Sequence, residues 1–215
     1  MNRSTEFASA PPMTAQRVSL IGGLMVAIGP IAMALYTPAM PGVVAAYESS
    51  KAVVKLTLTL YFAGFAISQL VAGPLSDAIE RRPVTVIFAA IFCVASLGAL
   101  LAPTIETLTI ARFAQGIGAS AGVAISRAIV RDCFQGDESS SIMNMIGIIL
   151  AVGPAVSPTI GGLLVLHVGW KSVFAVMILF GLAIALVALV AMRETLPAPQ
   201  PLRLAALGGS YLRLL

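Results

Sequence analysis

"AGPLSDAIERRPV", residues Ala72–Val84, gathers Asp77, Glu80, Arg81 and Arg82 into six positions between two long apolar runs. The chain is 59% apolar and 10% charged, with a mean hydropathy of +0.98. Charge confined to such a link, in a chain this apolar, describes a polypeptide threaded through a bilayer rather than a water-soluble domain. An uncharged apolar run of roughly 20 residues crosses the hydrocarbon core as a helix, because only a helix satisfies its own backbone N–H and C=O groups there.

Working outward from the link, six such runs are marked off. They are Val18–Tyr36, Val53–Leu75, Pro83 to about Ala102, about Thr107–Ser126, Ile142–Leu166 and Trp170–Met192. Pro83 suits the first turn of a helix, where a missing N–H costs nothing. The expected organisation is a segment 1–16, a six-helix membrane domain 17–192, and the start of a loop at 193–215. With Met1 in the cytoplasm, Arg3, Arg17, Arg81, Arg82, Arg127, Arg131, Arg193, Arg203 and Arg213 fall inside, against Lys51, Lys55 and Lys171 outside. The positive-inside rule therefore places both termini in the cytoplasm of a multi-pass protein of the cell (inner) membrane. The net charge of +4 is explained by this topology, and no clustered basic face suggests nucleic acid. Cys93 within a span and Cys133 at a span end imply no disulfide and no metal site, and nothing calls for a cofactor.

The charged links offer the first candidate site. Asp77 and Arg81 are four apart, one helical turn. The next cytoplasmic link, "SRAIVRDCFQGDESS" (Ser126–Ser140), brings Asp132 within possible reach of Arg81. Such a cluster can lock one helix arrangement and release another; simple membrane anchoring is the plainer reading. Arg112 is the one charged residue in the interior of a span, Lys55 and Lys171 falling at span ends, which suggests a watery cavity or a partner, with a structural ion pair as the alternative. Gln115, at i+3, shares its face, and Tyr61, Gln69 and Asn144 are weaker candidates for the same lining. In the fifth span, Gly153, Pro154, Ser157, Pro158, Gly161 and Gly162 indicate a bent helix in a close interface. No carboxylate lies within any span.

Three ordered motifs resemble those of the major facilitator superfamily. The quoted link matches through Gly73, Asp77, Arg81 and Arg82, although Ala78 stands where Arg is usual and Glu80 where Gly is usual. "ARFAQGIGASAG" resembles the span-four motif at Arg112, Gln115, Gly116 and Gly118. "GPAVSPTIGG" resembles the span-five antiporter motif, with Ser157 where Gly is usual. "YTPAMP" and "RETLP" extend the similarity to the bicyclomycin and chloramphenicol resistance (Bcr/CflA) branch of drug:proton antiporters. The resemblance implies an all-α fold, one six-span half of a 3+3 inverted repeat, whose partners are a drug-like substrate, protons, lipid and a missing second half or second copy. A truncated product is the expectation, and a non-transporting scaffold or a half-size dimer the alternative. "LRLAALGGSYLRLL" (Leu202–Leu215) reads as an interfacial helix. "GASAG" fits a nucleophile-elbow pattern, but Ser120 lies mid-helix and far from the lone His167, so no enzyme is expected.

Overall fold

The computed structural model describes residues 11–196, whose regular elements are all helices, with no strand among them. The first span is α1 (Ala15–Tyr36), a 3-10 turn (Thr37–Ala39) and α2 (Met40–Ala46), continuous over 32 residues. The others are α3 (Lys51–Ile79), α4 (Arg81–Leu101), α5 (Ile105–Cys133), α6 (Gly136–His167) and α7 (Ser172–Val190). Six helices are thus long and apolar enough to cross a membrane. The expected interfacial stretch Leu202–Leu215 and most of the polar N-terminal segment lie outside the described residues.

Local chemistry sets the helix starts. Thr14 caps α1 by accepting from the Arg17 N–H, and Ser50 caps α3 by accepting from that of Val53. Thr104 and Thr107 cap α5 reciprocally. The helices overrun the apolar runs at the charged links. The quoted link is helical to Ile79 and again from Arg81, leaving Glu80 as the whole connection; Ser126–Ser140 is interrupted only at Phe134–Gln135. The absence of glycine at position 80 puts a tight turn before the basic pair in doubt, yet the chain turns there all the same. Glu80 takes φ 111° and ψ 153°, a region that side-chain-bearing residues occupy at a cost of about 1–3 kcal/mol.

Packing follows a two-fold pattern. Calling α1–α2, α3 and α4 one triplet and α5, α6 and α7 the other, the principal contacts join the triplets: α1 with α6, α3 with α5, α4 with α7, α4 with α5 and α1 with α5. Exchanging the triplets maps α1/α6 onto α5/α3, and leaves α1/α5 and α4/α7 unchanged. This is the signature of an internal three-helix repeat. α1 and α5 form the buried centre, whereas α6 buries only Ile142, Ile146, Ser157 and Gly161. At the α3/α5 crossing, a side chain on Gly116 would strike the Tyr61 carbonyl and one on Gly64 the Phe113 carbonyl. The two backbones touch, as small residues at membrane helix contacts permit. Tyr47 and Trp170 stack edge to face 5.7 Å apart at the end opposite the arginines, the aromatic placement expected at a membrane interface.

Candidate functional site

The first site is built around Arg112, two turns into α5 and fully buried. Its guanidinium carbon lies 4.4 Å from the ring centre of Tyr36 on α1 and 4.3 Å from that of Tyr61 on α3. Each ring face offers a desolvated cation about 2 kcal/mol or more. The rings are themselves fixed. Tyr61 donates its hydroxyl to the Gly29 carbonyl at 2.9 Å. Thr57 spends its proton on the Val54 carbonyl, so the 2.8 Å contact between Tyr36 and Thr57 has Tyr36 as donor.

Arg112 also donates through Nη1 to Gln115 Oε1, as the i+3 spacing anticipates. Gln115 Nε2 donates to Ser96 Oγ at 2.6 Å on α4 and to Met177 Sδ at 3.2 Å on α7. The network thereby joins α1, α3, α4, α5 and α7. Arg112 Nε and Nη2 have no hydrogen-bond partner among the described residues, so the cation is held by rings and one amide with donors to spare. Of the residues singled out with it, Tyr61 and Gln115 share the cluster. Gln69 is half-buried on α3 and Asn144 exposed on α6, and neither hydrogen-bonds to it. Arg112, Gln115 and Tyr61 are sealed in the packed bundle rather than lining open space. Thr57, Ser96 and Met177 carry no charge, come from other helices and lie in no marked motif, while Tyr36 opens the "YTPAMP" stretch without any sign there that its ring meets Arg112.

The second site lies at the arginine-rich end. Arg81, 1% exposed, pairs with the Asp77 carboxylate four residues earlier and donates through Nε to Asp132 Oδ2 at 3.1 Å. Its Nη1 also reaches Ser76 Oγ at 2.6 Å. The structure thus brings Asp77, Arg81 and Asp132 together across α3, α4 and α5. Arg82 leaves the carboxylates and donates to the carbonyls of Ala188, at 3.2 Å, and Leu189. A side chain on Gly73 would meet only Ala124 at 3.9 Å, so packing does not demand that glycine. Asp132→Asn is expected to cost about 1–3 kcal/mol, because it leaves the buried Arg81 guanidinium only the partly exposed Asp77 carboxylate as counter-charge. Asp77→Asn should cost under about 1 kcal/mol, since its carboxylate is 38% exposed and screened. Thermal unfolding of the two variants in detergent checks the order.

In the antiporter-motif helix, α6 is continuous through Pro154 and Pro158. Side chains added at Gly153 and Gly161 would meet Ile31 and the Leu35 carbonyl of α1, while Gly162 faces open space. Ser157 is buried and returns its hydroxyl to the Gly153 carbonyl at 2.6 Å, a bond that bends helices slightly. Ser120 likewise gives its hydroxyl to the Ile117 carbonyl at 2.8 Å, in the interior of α5.

Two exchangeable triplets of membrane-length helices packed around a buried arginine have the architecture of one half of a helical-repeat transporter fold. The Major Facilitator Superfamily model matches residues 22–213, and the chain belongs to that family. It is 39% identical over 177 residues to the MFS-type transporter YdgK of Bacillus subtilis strain 168, covering 81% of this chain and 44% of the relative. It is 32% identical to the multidrug resistance protein MdtL of Vibrio parahaemolyticus, covering 86% of this chain and 46% of that protein. Among solved structures, the human organic anion transporter MFSD10 superposes with a TM-score of 0.72 at 21% identity, covering 88% of this chain and 51% of that one. The D-xylose-proton symporter does so at 0.68 and 16% identity, covering 93% and 53%. These two show the fold alone. The chain spans about half the length of the curated relatives it matches.

Proposed function

We propose that the chain forms the amino-terminal half of a proton-coupled exporter of small drug-like molecules, of the bicyclomycin and chloramphenicol resistance type. It sits in the inner membrane with both termini in the cytoplasm. The observation that carries this reading is Arg112: a cation buried in the membrane, held between two tyrosine rings, with Nε and Nη2 unpartnered. Its guanidinium does not release its own proton. Once the Tyr36 and Tyr61 rings that cover it part, it acts by lowering the pKa of an acid brought beside it, or by holding polar groups of the substrate. No carboxylate in this half lies mid-span, so the proton-carrying group belongs to the other wall of the cavity. Similarity to multidrug resistance proteins of the MdtL type supports the substrate class.

In this mechanism Arg112, Gln115 and Tyr61 form the coupling centre, and Gln69 and Asn144 contribute polar lining when the halves meet. Asp77, Arg81 and Asp132 latch the cytoplasmic ends of α3, α4 and α5 in one orientation and part in the other. α6, packed on α1 through Gly153 and Gly161, rocks with it.

Residues 1–215 expressed alone are expected to leave drug accumulation at the level of cells without the protein. Co-expression with a carboxy-terminal six-span half is expected to restore export. Export by residues 1–215 alone, with cross-linking that captures a homodimer, replaces this reading with that of a half-size transporter. Absence of export from every combination returns the scaffold reading.

A further inference from the structure

The short strap after α7 closes back on the start of α4. Glu194 Oε1 accepts the backbone N–H groups of Arg81, Thr195 and Leu196, each at 3.0 Å, and Oε2 accepts that of Arg82 at 3.1 Å. The first turn of α4 needs such an acceptor. Its own N-cap residue, Glu80, makes no side-chain cap, and Pro83 has no N–H to offer, so the free donors of Arg81 and Arg82 both end on Glu194. The exchange is reciprocal. Arg82 at the start of α4 donates to the carbonyls of Ala188 and Leu189 in the last turn of α7. A carboxylate thus sits at one helix N-terminus and a guanidinium at the other's C-terminus, both signs matching the helix dipoles. Burial raises the Glu194 pKa, and the four backbone donors outweigh it and leave the carboxyl below its ordinary range.

The clasp meets the charged cluster at two points. Arg81, whose N–H is on Glu194, is the residue whose guanidinium lies between Asp77 and Asp132. Thr195, next in the strap, donates its hydroxyl to Asp132 Oδ2 at 3.4 Å. The same clasp follows directly on Glu80, held at φ 111°, a conformation that relaxes once the first turn of α4 is free to move.

We propose that Glu194 is a positioning residue for the Arg81–Asp77–Asp132 cluster, capping α4 from beyond α7 and thereby holding Arg81 between its carboxylates against the strained turn at Glu80. This welds the third helix of each triplet to the other, so that the cluster opens only when the strap lets go. The inference deepens the gating role proposed above and rests on it for its effect on transport.

The test uses the complete transporter and two readouts. Cys133 adjoins Asp132 at the end of α5 and is half-buried; its alkylation by a membrane-impermeant maleimide, followed by peptide mass spectrometry, reports whether the cluster is closed, whatever transport does. Glu194→Ala removes both of its hydrogen bonds to α4 and is expected to raise the Cys133 labelling rate at least about tenfold, the equivalent of one net charge-assisted hydrogen bond, and to lower the maximal export rate with KM unchanged. Glu80→Gly alone should leave labelling as it is. Combined with Glu194→Ala it should return labelling toward the native rate, because the turn no longer pulls against the missing cap. Where Glu194→Ala does not insert, Glu194→Gln keeps one accepting oxygen, turns an amide on the Arg82 N–H, and should show the same change more weakly. Native labelling in the Glu194 variants, or a rise that Glu80→Gly leaves in place, overturns the proposal. Altered and rescued labelling with undiminished export upholds the positioning role and sinks the gate instead.

Discussion

Arg112→Met in the complete transporter is expected to keep its stability and lose its drug-dependent proton flux. The two halves of that expectation come from different magnitudes. Burying an ion in the bundle costs several kcal/mol even after relaxation, and the two ring contacts, at 4.4 and 4.3 Å, return about 2 kcal/mol each. These terms nearly cancel. Methionine fills similar space and lies well against aromatic edges, so the melting temperature should change by no more than about 1–2 kcal/mol would move it. Coupling has no such compensation. Loss of a charge-assisted contact worth about 3 kcal/mol lowers flux roughly a hundredfold. Arg112→Lys keeps the charge without the planar fork that stacks between the rings, and should fall between the two in flux. Proteoliposomes with a pH-sensitive dye and added drug supply the measurement. Native flux in all three forms makes Arg112 a packing residue and removes the basis of the proton-coupled reading.

The sequence shows the helices plainly because six apolar runs separated by charge admit little else, but hydropathy marks where lipid ends rather than where a helix ends. That is why α3 and α5 continue through Asp77 and Asp132, residues expected in links. The pairing of Arg112 with Gln115 is also visible, since i+3 spacing within one helix predicts it; Asp77 and Arg81 pair as well, but across the break at Glu80 rather than along one helical turn. The rest of each site is assembled across helices. Tyr36, Thr57, Ser96 and Met177 complete the Arg112 cluster from four helices, each as an uncharged residue among many of its kind. Glu194 lies in the "RETLP" stretch, yet its partners are 112 and 113 residues away. Nothing local distinguishes a carboxylate that caps a distant helix from one that faces solvent. Glu80 is the reverse case: the departure from glycine is visible in the sequence, and its consequence, a strained one-residue turn, follows from backbone sterics.

Gly116→Ala is expected to disrupt the protein more than any change of a charged side chain at the arginine-rich end. The added methyl would be driven into the Tyr61 carbonyl and placed 3.0 Å from the Phe65 nitrogen. Both obstacles are main chain of α3, which has no rotamer to change. The helices must part, and Gly64, already against the Phe113 carbonyl on the facing side, shows that the contact is close from both directions. Overpacking of this kind exceeds about 4 kcal/mol when backbone rather than side chain is struck. Gly162→Ala is the matched control. Nothing lies within 4 Å of its new methyl, and alanine's better helix propensity makes it neutral to about 1 kcal/mol more stable. Detergent-solubilised melting curves should separate the two variants clearly. The damage also has a functional direction, because the struck carbonyl belongs to the residue whose ring lies over Arg112. Any separation of α3 from α5 draws that ring from the guanidinium, so a Gly116→Ala protein rescued at low temperature should insert yet transport poorly. A variant that melts and exports like the native protein would mean that the α3/α5 crossing has slack, and that the two tyrosine rings do not depend on it for their hold on the cation.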